Sequence, residues 1–174
     1  MKQAEDLSKE ELLELMKLQA KNWLALDGLW FQSVERKYGM EEAVFHDGEA
    51  WKRYTVIEAK RIKDFLGLGE HPGLDGLEQA FAMRIYASIN PYEILREENK
   101  LILKVKECRV QTARTRKQME PFPCKPVGFI EYEGFCKTID DRFSCRCLCC
   151  PPDTPEEDAA CVWEFTLTES GCEK

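Results

Sequence analysis

Phe143-Ser144-Cys145-Arg146-Cys147-Leu148-Cys149-Cys150, then Pro151-Pro152-Asp153-Thr154-Pro155, then Cys161-Val162-Trp163-Glu164-Phe165-Thr166-Leu167-Thr168 is the stretch that decides the fold. Its two outer segments alternate as strands do, and the prolines between them cannot continue a central strand, so they form the loop of a hairpin. With a repeat of two, Phe143, Cys145, Cys147 and Cys149 share one face, and Cys161, Trp163, Phe165 and Leu167 share a face of the partner strand.

Upstream lies a second hairpin. Tyr92-Glu93-Ile94-Leu95-Arg96 and Leu101-Ile102-Leu103-Lys104-Val105-Lys106 flank Glu97 to Lys100, with Leu101, Leu103 and Val105 alternating against lysines. Between the hairpins a short helix is expected at Val110 to Gln118, and a further one at Gly128 to Thr138, after the bend marked by Pro121, Pro123 and Pro126. Before Pro91 the period is helical. Ser8-Lys9-Glu10-Glu11 forms a capping box ahead of Leu12, Leu15 and Met16. Asp27-Gly28 is expected to break that helix, and a second one, carrying Leu29, Trp30, Val34 and Tyr38, ends at Gly39. Helices follow at about Glu49 to Leu66 and after Asp75-x-x-Glu78, the latter closed by Asn90-Pro91. The expected class is α+β: N-terminal helices packed on a small, mostly antiparallel sheet that ends in a Cys-rich hairpin. One domain over 1–174 is expected, helical over 1–90 and sheet-forming and Cys-rich over 91–174.

Composition narrows the function. The 44% hydrophobic and 33% charged residues suit a globular chain, and a net charge of -7 is the wrong sign for holding nucleic acid through an overall basic field. No apolar run approaches the ~20 residues that cross a bilayer, and Met1 to Glu11 has no signal-peptide core, so the expected location is the cytoplasm. Thiols stay reduced there, and a Cys-rich pattern then points to metal or catalysis before disulfides.

All nine cysteines fall after residue 107, and the only histidines are His46 and His71, so a metal site would be dominated by thiolates: zinc, or alternatively an iron-sulfur cluster. Cys147-x-x-Cys150 has the spacing that lets a turn aim both sulfurs at one ion. Cys161 and Cys124 complete the expected set of Cys124, Cys147, Cys150 and Cys161. The plainer alternative is that these cysteines line a strand's core face as small hydrophobes. A redox dithiol at Cys147 and Cys150 is a third, disfavoured by Pro151-Pro152, since such a pair sits at a helix start.

Cys108-Arg109-Val110-Gln111-Thr112-Ala113-Arg114 is the second chemical signal. A thiol at a helix start beside Arg109 would have its pKa lowered, as a nucleophile or a metal ligand needs, while Gln111 and Arg114 could orient a carboxylate. The alternative is a solvated basic face formed by Arg114, Arg116 and Lys117. Trp23, Trp30, Phe31, Tyr38, Trp51 and Tyr54, beside Asp27, could wall a pocket or could be core. His46 and His71 read as exposed turn residues. Cys136 is expected to be packed in a helix and Cys172 to be a tail thiol.

Asp27-Gly28-Leu29-Trp30-Phe31, Val34 to Glu41, Cys108-Arg109-Val110-Gln111, Phe122 to Gly128 and Cys150-Pro151-Pro152-Asp153 resemble an uncharacterised prokaryotic cytosolic family over most of the chain. More distantly, helices followed by a sheet whose last strand opens Cys161-Val162-Trp163-Glu164-Phe165 are similar to 4-vinyl-reductase-like domains and to 2-amino-thiazoline-4-carboxylate hydrolase-like proteins. The vinyl-reductase-like resemblance implies a structural zinc, held by the late hairpin cysteines and an earlier one, beside an enclosed pocket for a small, often aromatic molecule. By position it implies Cys161, then Cys147 or Cys150, then Cys124 or Cys108.

Three functional classes follow. The leading one is a small-molecule-binding domain with a structural thiolate metal site, its ligand contacts drawn from Trp30, Cys108, Gln111 and Arg114. The second is a hydrolase in which Cys108 attacks a C=N or acyl carbon of a substrate bearing a carboxylate. The third is a protein-protein interaction module. The expected partner is a small molecule, a carboxylate or an aromatic compound, with no nucleic acid bound by this chain alone and no membrane; a homodimer is left open.

Overall fold

The Glu11 amide donates to the Ser8 hydroxyl at 3.2 Å, and the Ser8 amide donates back to the Glu11 carboxylate at 2.9 Å. This capping box starts helix α1, Lys9–Tyr38. The computed structural model describes residues 3–153 and 158–168. Helix α1 is continuous over 30 residues, through the expected break at Asp27-Gly28. An interior glycine costs only about 1 kcal/mol relative to alanine, too little to stop a long helix that packs along a neighbour. Gly39, at φ 93°, ends it, and α2, Met40–Leu66, starts at once. Helix α2 therefore begins nine residues before the expected Glu49, and Phe45-His46-Asp47-Gly48 is helical rather than a turn. Gly67, at φ 65°, closes α2 in the left-handed region.

Helix α3, Gly73–Met83, and a 3-10 turn, Ile85–Ser88, complete the helical half. Then come β1 (Tyr92–Arg96), β2 (Lys100–Val105), α4 (Arg109–Arg116), α5 (Lys125–Ile139), β3 (Phe143–Cys149) and β4 (Cys161–Leu167). The four strands form one antiparallel sheet in the order β1-β2-β4-β3, so the expected α+β class and both expected hairpins are present.

One face of the sheet is covered by helices. Leu101 and Leu103 of β2, Phe143 of β3 and Trp163 and Phe165 of β4 form a core with Ala59 and Ile62 of α2, Leu77 and Phe81 of α3, and Phe135, Cys136 and Ile139 of α5. Cys136 is packed in its helix as expected; Cys172 lies outside the described residues. The opposite face carries charge pairs such as Glu164 with Lys100 and Arg146, both at 3.0 Å.

Alternation in β3 fails at one place. Cys147 pairs with Trp163, but a bulge follows and Cys149 pairs with Val162. The extra residue inverts the side-chain order. Cys145 and Cys147 stay against the helical core, whereas Cys149 packs with Val162, Ala159 and Ile102 on the other face, and does not share a face with Phe143 as expected. The same bulge returns Cys150 to the core side.

Candidate thiol-lined cavity

Strand order puts the thiols together. Because β4 inserts between β2 and β3, Val105 at the end of β2 lies opposite Cys161 at the start of β4, and the chain reaches Cys108 three residues later. Cys149 ends β3 opposite Val162, which brings Cys150 beside Cys161. Cys124 sits at the N-cap position of α5, and its sulfur lies 3.2 Å from that of Cys150. Lys125 ties these two segments: its amide donates to the Pro151 carbonyl at 3.0 Å and its ammonium pairs with Asp153 at 2.7 Å. Cys108, Cys124, Cys150 and Cys161 all line one cavity of about 460 Å³.

Three of the four expected ligands therefore line the cavity, together with Cys108. Cys147, paired with Trp163 and packed against the helical core, is not in the lining, although Cys161 is close enough to raise its pKa. The Cys124 thiol is pulled below its ordinary pKa by its hydrogen bond with Cys150 and by Gln111, while the same pairing, with Cys161, pushes Cys150 far up. The pairing therefore favours the charged form at Cys124 and the protonated form at Cys150. Burial pushes Cys108 up to about 11, more than the amides of Gln111 and Val110 draw it back. The expected activation of Cys108 by Arg109 is corrected: Arg109 is exposed, and the thiol is set by desolvation. Burial also pushes Cys147 up to about 11.

Gln111 and Arg114 line the cavity, but their polar ends engage the protein. Gln111 Nε2 donates to the Phe122 carbonyl at 2.7 Å and toward Cys124 Sγ at 3.8 Å, and the Phe122 amide donates to Gln111 Oε1 at 3.1 Å. Gln111 so holds the segment that carries Cys124. Arg114 makes a bidentate pair with Glu35, at 2.9 and 2.7 Å, which lowers the Glu35 pKa. The expected grip of Arg114 on a ligand carboxylate is corrected, because its fork is already filled. Trp30 is corrected as well. It is 69% exposed on α1 and lies off the cavity wall, where its neighbour Phe31 sits instead. Trp51 also lines the cavity, and Trp23 and Tyr54 stand behind it in ring contact, at 6.1 and 5.3 Å between centroids.

The cavity lining is also acidic, and of its carboxylates only Asp27 is singled out from sequence, beside the aromatic residues. Asp27 of α1, Asp47 of α2 and Glu131 of α5 all face the cavity. Burial raises Asp27, and burial together with Asp27 and Glu131 pushes Asp47 up to about 7, against a hydrogen bond from Trp51. Glu131 is raised by burial but held by Arg84, whose Nη2 lies 2.6 Å from Glu131 Oε1 and 2.9 Å from Glu58 Oε2. Burial works against the Arg84 charge, and the two glutamates outweigh it. The signal available in sequence is the i,i+4 pairing Trp23-x3-Asp27 and Asp47-x3-Trp51, each an acid one turn from an indole.

Neither histidine reaches the thiols. His46 is exposed on α2, 3.6 Å from Glu42. His71 lies 3.5 Å from Asp140 and 3.6 Å from Asp141. Among the described residues these last three are the only group of three or more His, Cys, Asp or Glu donors all within 4.8 Å of one another, so the four thiols stand wider than a closed coordination shell. Asp140 is already engaged by the Gly73 amide at 3.0 Å and by Arg142 at 2.8 Å, the hydrogen bond with Arg142 holding its pKa far below the carboxylate range.

Among the described residues no helix is long and apolar enough to cross a membrane. Neither the curated proteins nor the solved structures include a match to the chain. A family does match over residues 4–167, nearly the full length, and the chain belongs to it: the Family of unknown function (DUF6125).

Proposed function

We propose that this protein is a small-molecule-binding domain in which Cys108, Cys124, Cys150 and Cys161 hold a structural zinc ion at one wall of the cavity. The observation that carries the reading is the convergence of four thiols from four separate segments on one cavity, two of them 3.2 Å apart without a bond. A tetrahedral zinc with Zn–S of about 2.3 Å needs sulfurs about 3.8 Å apart, so the wider members must draw in on the ion while Cys124 and Cys150 already stand within that span. A four-cysteine donor set suits zinc, or an iron-sulfur cluster as the alternative occupant. The ion would supply no reaction step. It would tie the start of α4, the start of α5 and the ends of β3 and β4 into one wall, as the resemblance to 4-vinyl-reductase-like domains implies.

The hydrolase reading has less support. Burial pushes the thiol of its nucleophile, Cys108, up to about 11, no histidine stands near it, and Arg114 is held by Glu35. A cavity of this size also favours ligand binding over an interaction module.

The test is metal content after purification without chelators, in the parent protein and in single Cys→Ser variants. One zinc per chain is expected in the parent and in Cys147→Ser, with at least a tenfold weaker hold in Cys108→Ser, Cys124→Ser, Cys150→Ser and Cys161→Ser. Zinc lost from Cys147→Ser and kept by Cys108→Ser would refute the assignment, and absorption near 400 nm with bound iron would replace zinc by a cluster.

A further inference from the structure

The cavity lining carries two kinds of polar group: the thiols, beside Trp163 of β4, and the carboxylates Asp27, Asp47 and Glu131. Glu131 has a cation in Arg84; among the described residues no ion pair reaches Asp27 or Asp47. Basic groups do occur at the cavity: Lys21, Arg109, Arg116 and Lys117 are exposed at its rim, and Arg114 is neutralised by Glu35. A charge acts far more strongly in a partly desolvated site than at the rim, where water screens it. The interior field is therefore set by the two half-buried carboxylates.

A second feature of the same wall system is incomplete. Trp163 is fully buried and lines the cavity, and its indole Nε1–H has no acceptor among the described residues. A buried donor without a partner is costly, so an occupant offering an acceptor would relieve it. Trp51 and Tyr86, stacked at 5.9 Å and 20°, add aromatic surface to the same lining, the surroundings that favour a cation or a flat apolar body.

We infer that the cavity takes a small organic ammonium compound, its charged nitrogen between Asp27 and Asp47, its apolar body along Trp51 and Tyr86, and a hydrogen-bond acceptor toward Trp163. This deepens the binding-domain reading and rests on it. It also reverses the ligand polarity expected from Arg114 in the sequence.

The experiment uses the full-length, metal-loaded chain and calorimetric titration with three matched sets of probes: primary amines from phenethylamine and tyramine to tryptamine, the corresponding alcohols, and the corresponding carboxylates. Amines are expected to bind at least tenfold more tightly than their alcohols, with the carboxylates weakest. Asp27→Asn and Asp47→Asn, which preserve side-chain size, should each weaken amine binding at least fivefold. Lys117→Ala at the rim should change it less than twofold. Thermal melting of each variant reports whether it is folded. Alcohols or carboxylates that bind as well as the amines would overturn the inference while leaving the binding domain intact. Failure of all three sets would overturn both the inference and the binding function, and zinc content in the same samples reports separately on the metal site.

Discussion

Cys124 Sγ lies 3.2 Å from Cys150 Sγ, although the residues are 26 positions apart and neither is in a disulfide. The helix N-terminus of α5 presents one sulfur and the turn after β3 presents the other, with Lys125 bonded across both segments. The two thiols share a hydrogen bond, and on the proposed zinc reading they are co-ligands of the ion and become an oxidisable pair once it is removed.

Metal-depleted protein treated with diamide, which takes up the two thiol hydrogens as it is reduced, should form the Cys124–Cys150 disulfide ahead of any other. Peptide mapping after alkylation checks this. Zinc-loaded protein should resist the same treatment, and a Cys147–Cys150 link as the main product would count against the geometry.

The Arg84 triad should be a large contributor to stability. Its guanidinium is 3% exposed and lies between Glu58 and Glu131, 4.6 Å from the Phe135 ring centroid. Arg84→Met leaves two buried carboxylates without a cation, and urea unfolding should register a loss of about 3–5 kcal/mol. A loss below about 1 kcal/mol would show that the glutamates find other partners.

The helices and hairpins were legible because each depends on neighbours in sequence. The capping box at Ser8, the alternation of Leu101, Leu103 and Val105, and the prolines after Cys150 act locally, and each element formed where they indicate. The break at Asp27-Gly28 was misread because tertiary contact with α2 outweighs one glycine's propensity. The thiol set was legible only in part. C-x-x-C spacing is a local signal and favoured Cys147, whereas the cavity is assembled by the insertion of β4 between β2 and β3 and by a bulge that no spacing rule reveals. Cys108 joins through that pairing. Arg114 and Trp30 were misjudged because sequence shows which groups could bind a ligand but not that Glu35 already fills one and solvent surrounds the other.

Asp47 should make the empty protein sensitive to pH. Burial, with Asp27 and Glu131 near it, raises its pKa from 3.8 to about 7. The folded chain therefore keeps a proton that the unfolded chain gives up, so stability falls as pH rises from 3.8 to about 7 and levels off above. Asp47→Asn removes this cost. Scanning calorimetry should find the variant melting about 2–6 °C above the parent at pH 8 and within about 2 °C of it at pH 4. Amine affinity of the parent should follow the opposite course, strengthening as pH rises through about 7, where the Asp47 carboxylate gains its charge. An affinity that is flat across this range would remove Asp47 from the ligand's contacts.

X-ray absorption at the zinc edge, recorded on protein isolated without chelators, interrogates the thiol assembly most directly. Four sulfur neighbours at about 2.3 Å, with no nitrogen or oxygen scatterer in the first shell, is the predicted result. A shell dominated by nitrogen or oxygen, or no zinc at protein stoichiometry, would contradict it.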